Sequence, residues 1–182
     1  MRSAIFLLLL AGPRLLAADI TFDTIEPSAI QQRFDRLKPK NEERGAVLRD
    51  IFQEAGCTAE HWSEIKVRGS KLSNLVCTLP GSSARQVIVT AHYDKTGGGQ
   101  GAIDNWSGAA LLPSLFQSLN NQPRTLTYVF VLTTDEEHGL LGSKDFVSHM
   151  SPGEQRNTVA DVNVDSIGLP GQTYVWASRA AP

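Results

Sequence analysis

Strand-like runs that alternate with helix-like stretches constrain this chain more than any other feature. Residues 86–91 form a continuous β-rich run, and residues 126–133 form another, as expected of strands buried on both faces. A third run covers residues 159–164, and residues 173–176 form a candidate fourth. Between them, residues 106–119 and 140–149 read as helices, with Pro113 expected to kink the first or shorten its opening turns. Upstream lie two more predicted helices, 27–37 and 41–55, and a short antiparallel strand pair, 64–67 and 75–79. In the helix at 41–55, Val47, Leu48, Ile51 and Phe52 share one face. Asn41 reads as its cap, Glu42 and Glu43 favour its first turn, and Gly56 ends it. The alternation predicts an α/β three-layer sandwich: a central mixed, mostly parallel sheet flanked by helices.

Composition removes several function classes. Hydrophobic residues make up 41% of the 182 residues and charged residues 20%, enough apolar material for a packed core. A formal charge of −2 supplies no basic excess for a phosphate backbone, so nucleic acid is not an expected partner. After the N-terminal stretch, no segment is apolar for long enough to cross a bilayer.

Residues 1–18 read as an export signal. Met1-Arg2 gives a positive start, residues 4–11 are unbroken apolar, and Ala17-Ala18 offers a small-residue cleavage site. The remaining domain, 19–182, is then expected to be secreted or periplasmic. Cys57 and Cys77 are the only cysteines. They read either as a disulfide or as two buried thiols, and an oxidising compartment favours the disulfide.

Polar residues collect where strands end. His92 and Asp94 follow the first buried run, and Asp104 and Asn105 sit between a glycine-rich loop and a helix. Asp135, Glu136 and Glu137 follow the second run, and Asp165 ends the third. Ligands of open α/β sheets bind beyond the carboxyl ends of the strands. So many carboxylates at one edge repel one another unless a cation is present, and a histidine among them suits zinc better than calcium. The glycine-rich loop is not a phosphate loop, because no Lys-Ser or Lys-Thr follows at the required spacing.

These residues carry a family resemblance. His92-Tyr93-Asp94, Asp104-Asn105 with Ser107-Gly108, the Glu136-Glu137 stretch running to Gly142-Ser143, and Asn163-Val164-Asp165 with Ile167-Gly168 resemble four linked segments. They are those of the co-catalytic zinc aminopeptidases, metallopeptidase family twenty-eight. The resemblance implies two zinc ions bridged by Asp104, with His92 and Asp165 on the first and Glu137 on the second. Asp94 would orient His92, and Glu136 would act as general base towards a water activated by zinc. Asn105 and Ser107 would cap the following helix. Asp135, His138, Asp161, His61 and His149 receive no role.

The family uses a further histidine, well downstream, on the second zinc. No histidine follows His149, so one metal site is expected to be incomplete, as is the sandwich at its C-terminus. The resulting expectation is an exported zinc aminopeptidase acting on peptide or protein N-termini, with the activity of this chain itself left open by the missing histidine. A glutaminyl cyclase and a non-catalytic domain are the alternatives, and the sequence leaves open the oligomeric state, the side-chain preference and the choice between aminopeptidase and carboxypeptidase.

Overall fold

The computed structural model describes residues 20–171 and Val175. Helix α1 (Pro27–Phe34) leads through a turn into α2 (Asn41–Glu54). Strands β1 (Trp62–Lys66) and β2 (Ser73–Leu79) form an antiparallel pair, followed by β3 (Gln86–His92). A wide irregular turn, Ala102–Ser107, opens α3 (Gly108–Asn120). Then come β4 (Thr127–Thr133), α4 (Leu141–His149), α5 (Pro152–Asn157) and β5 (Thr158–Asn163). The expected strand at 173–176 and the signal at 1–18 lie outside the described residues.

The five strands make one mixed sheet in the order β1-β2-β4-β3-β5. β2 runs antiparallel to β1 and β4, while β3 runs parallel to both β4 and β5. The parallel pairs matter for the site. Where His92 pairs with Thr133, β3 and β4 end together, so the residues after each emerge at one edge.

The larger core lies on the sheet face covered by α1, α2 and α3. Leu48 and Phe52 from α2 meet Cys77, Val89, Phe130 and Leu132 from the sheet, with Trp106, Leu112 and Phe116 closing the layer. Phe52, Phe116 and Phe130 pack as a mutual aromatic cluster, with ring centroids 5.7–6.2 Å apart. On the opposite face Val76, Ile88 and Val131 pack against Phe146 and Met150 of α4 and its C-terminal end. Cys57, just past α2, is bonded to Cys77 on β2 across a sequence separation of 20, both cysteines being buried.

Local details depart from the expectations. α1 ends at Phe34, short of Leu37. α3 runs on through Pro113, which leaves the Ala109 carbonyl without its helical N–H donor. Asn41 is not the cap of α2: Lys40 holds that position, and the Asn41 side chain turns to the backbone of Lys95 instead. α5 was not expected, although Ser151 and Glu154 close a reciprocal capping box at its start.

Candidate metal centre

Each polar side chain at the sheet edge is placed by the element it ends. His92 is the last residue of β3 and only 3% exposed, so its ring has little freedom. Its Nε2 lies 3.0 Å from Asp104 Oδ1, 3.9 Å from Asp165 Oδ2 and 4.0 Å from Glu136 Oε2. On the other side of the ring, Nδ1 lies 3.5 Å from Asp94 Oδ1, a charge contact longer than a good hydrogen bond.

Asp94 is fully buried and touches three neighbours. Besides facing the imidazole, its two oxygens accept the amide N–H groups of Glu136 at 3.1 Å and Glu137 at 3.3 Å. Through Asp94 the exit of β3 is therefore fastened to the exit of β4. Burial would raise the Asp94 carboxyl, but His92 and those two amides outweigh it and hold Asp94 below its ordinary value.

Asp104 sits in the irregular turn, which follows Gly101 in the left-handed region at φ +57°. Asn105 and Ser107 tie that turn to the end of β5. Asn105 donates to the Val164 carbonyl and accepts from Ser166, while Ser107 Oγ accepts from Ile167. Asn105 also accepts the Gly108 N–H at the start of α3, whereas the Ser107 hydroxyl donates back to Ile103 and caps nothing. These bonds bring Asp165 beside Asp104, although the two belong to different elements.

His92, Asp104 and Asp165 therefore converge, each offering one ligand atom within 4.8 Å of the other two. Glu137 does not join that group. Among the described residues its carboxylate forms no hydrogen bond or ion pair, and Glu136 is the one that approaches His92. Asp94, Asp135 and His138 make a second close group, with His138 Nδ1 3.4 Å from Asp135 Oδ1. His61 and His149 lie away from the site, paired with Glu60 and Asp145. Asp161 lines a cavity of about 530 Å³ that runs from His92, Glu136 and Asp165 over the face of β3 towards α4.

The donors suit a divalent ion. One imidazole and two carboxylates match the nitrogen and oxygen preferences of zinc, and the buried His92 Nδ1 has no hydrogen-bond partner beyond its contact with Asp94. Without an ion, the surrounding carboxylates dominate the imidazole. Burial lowers the His92 pKa, but Asp94, Asp165 and Glu136 together raise it to about 9. Glu136 is itself raised, first by burial and then by the charges of Glu137, Asp94 and Asp165.

The sequence pattern of peptidase family M28 matches residues 74–181, more than half of the chain. The chain belongs to peptidase family M28. Aminopeptidase YwaD of Bacillus subtilis is 35% identical over 106 residues, which cover 50% of this chain and 23% of that protein. The alkaline phosphatase isozyme conversion protein of Escherichia coli is 29% identical over 167 residues, covering 84% of this chain and 47% of that protein. The solved zinc aminopeptidase BSAP of Bacillus subtilis matches with a TM-score of 0.50 at 30% identity, over 53% of this chain and 25% of that one. A glutaminyl cyclase from an Acidobacteriales bacterium matches with a TM-score of 0.61 at 20% identity, covering 78% of this chain and 57% of that one, a likeness of fold. The chain spans less than half the length of these two curated relatives.

Proposed function

We propose that this M28 chain carries the metal centre of an exported zinc aminopeptidase that hydrolyses the first peptide bond of peptides with a free N-terminus. The observation that carries the reading is the meeting of His92, Asp104 and Asp165, with Glu136 at their rim, from four separate stretches of sequence. The oxidised Cys57–Cys77 pair and the export-like first 18 residues support a secreted or periplasmic location. Among the described residues, no helix is long and apolar enough to cross a membrane.

His92, Asp104 and Asp165 would hold a first ion, since their ligand atoms already gather within 4.8 Å of one another. When bound, zinc polarises the scissile carbonyl and makes a water acidic enough to attack near neutrality. Glu136 would take a proton from the attacking water, a task its raised pKa suits, and hand it to the departing amine. Asp94 faces the His92 ring and accepts the amides of Glu136 and Glu137, so the ligand and the base are held by one carboxylate. Asp104 and Glu137 would be this chain's share of the ligands for a second ion, with Glu137 standing outside the His92–Asp104–Asp165 group.

Calorimetric zinc titration, run beside release of nitroaniline from aminoacyl-nitroanilides and cyclisation of N-terminal Gln peptides, tests the reading. Zinc uptake with nitroanilide hydrolysis supports it. Cyclisation without hydrolysis would replace the peptidase by a glutaminyl cyclase, and zinc uptake without either turnover would make the chain a non-catalytic domain.

A further inference from the structure

The most unusual buried group outside the metal cluster is a charged one. Arg44 on α2 is 0% exposed, and among the described residues no carboxylate forms an ion pair with it. Its guanidinium instead spends its donors on backbone carbonyls. Nε donates to Lys38 at 2.9 Å, Nη1 to Tyr93 at 3.2 Å, and Nη2 to Gly101 at 3.3 Å and to Gln100. The guanidinium also lies over the Trp106 ring, 5.8 Å from its centroid.

Those carbonyls bracket the metal centre. Tyr93 stands between His92 and Asp94, and Gly101 begins the turn that holds Asp104. The planar fork of one arginine thus bonds both ends of the loop between two metal ligands, a geometry the point charge of lysine cannot copy. One turn earlier, Asn41 makes two bonds to Lys95, its Oδ1 accepting the amide at 3.1 Å and its Nδ2 donating to the carbonyl at 3.3 Å. Gly101 fits the clamp because a Cβ there would press on Lys95 Cβ, Asp104 O and Arg44 Nη2. Gly97, Gly98 and Gly99, at the loop's tip, face open space. The loop is held at its ends and left free in its middle.

We propose that Arg44, assisted by Asn41, is a positioning residue for the metal centre: α2 grips the backbone of the 93–101 loop so that His92 and Asp104 meet at one point. The guanidinium also satisfies those carbonyls, so its removal costs stability as well, and a change in metal affinity or site geometry is what distinguishes the positioning role. The inference rests on the metal-centre reading, because its consequence is the affinity of those ligands for an ion.

The test compares the parent chain with Arg44→Met, Arg44→Lys and Asn41→Ala. Zinc affinity is measured by competition with a chromophoric chelator, and the site geometry by the visible absorption of bound cobalt(II). Thermal midpoints are recorded in parallel. Residues that orient metal ligands typically change affinity by about 10–100-fold when removed. Arg44→Met is expected to weaken zinc binding within that range, Arg44→Lys less so, and Asn41→Ala several-fold with an altered cobalt spectrum and a nearly unchanged midpoint. If Arg44→Met does not fold, Asn41→Ala and Arg44→Lys decide the matter. Folded variants that bind zinc as tightly as the parent overturn the positioning role alone. A parent that takes up no zinc overturns the proposed function and this role with it.

Discussion

His92 Nε2 and Asp104 Oδ1 lie 3.0 Å apart, although one ends a buried strand and the other is an exposed residue in the turn beyond a glycine-rich loop. A neutral imidazole has one N–H for the two carboxylates that flank it, Asp94 at Nδ1 and Asp104 at Nε2. A protonated imidazole or a shared cation satisfies both. The pair is therefore a site in which proton and metal compete for one nitrogen.

That competition sets a pH dependence. In the metal-free chain the His92 pKa stands at about 9, above the ordinary value of about 6.5 expected when unfolded. Its contribution to stability is fully present below about pH 6.5 and is lost as pH rises through about 9. Metal binding needs the neutral ring, so zinc uptake at pH 7 is expected to release close to one proton from His92. Affinity should then climb between pH 7 and 9. Calorimetry in buffers of differing ionisation enthalpy counts the proton, and a count of zero would contradict the assignment of His92 as ligand.

Glu136 lies beside the His92–Asp104–Asp165 group without belonging to it, so amide variants of Glu136 and Asp104 should separate two functions. Glu136→Gln keeps the His92–Asp104–Asp165 group and is expected to bind the first zinc as the parent does. Turnover by the zinc-loaded protein should fall by about 10²–10⁴-fold, the usual contribution of a general base. Asp104→Asn is expected to lose zinc itself. Zinc content per chain, measured beside initial rates, distinguishes them; a Glu136→Gln variant with parental turnover would remove the base from the mechanism.

The elements that place the site were legible because their physics is local. Strands β3 and β4 are continuous apolar runs, and polar residues directly after a parallel strand must emerge at its carboxyl edge. For that reason His92 and Asp165 could be expected at one edge, whereas Asp104, beyond the glycine-rich loop, joined them only through the family resemblance. Residues whose partners come from afar were harder to read. Asn41 ahead of two glutamates has the signature of a helix cap, but the 93–101 loop brings the Lys95 backbone within its reach. Arg44 reads from sequence as an ordinary charged helix position, since nothing in its neighbours announces the carbonyls that surround it. α5 offered a local signal in Ser151-Pro152-Gly153-Glu154, but six mostly polar residues carry no apolar periodicity to draw attention to it.

The bond between Cys57 and Cys77 joins the end of α2 to β2 within the main core. Closing a loop of sequence separation 20 restricts the unfolded chain, for which a contribution of about 3 kcal/mol is typical. The double variant Cys57→Ala with Cys77→Ala avoids burying two new hydroxyls and should unfold at lower urea by roughly that free energy. Parent chain unfolded in the presence of reductant should behave similarly. Coincident urea midpoints for oxidised and reduced parent would show that the bond contributes nothing.

Gly142, in the stretch after Glu137, has a structural reason to lack a side chain. It is the second residue of α4, and its amide bonds to the Thr134 carbonyl at 2.9 Å. Buried Asn74 bridges the same two residues, donating to the Gly142 carbonyl at 2.8 Å and accepting the Thr134 amide at 3.1 Å. A Cβ at position 142 would overlap Thr134 O and Asn74 Oδ1. Backbone cannot yield as a flexible side chain can, so Gly142→Ala must push α4 from β4 or expel Asn74 from its bonds. Either route costs about 2 kcal/mol or more, from overpacking and from buried groups left unpaired. Thr134 lies just ahead of Glu136, so the same strain reaches the turn that carries Glu136. Gly153→Ala is the control, since a Cβ there meets only Ser151 Oγ at 3.7 Å, and its urea midpoint should stay near the parent's. A Gly142→Ala midpoint matching that control would show that the β4–α4 junction tolerates a side chain, and that Asn74 does not fix its geometry.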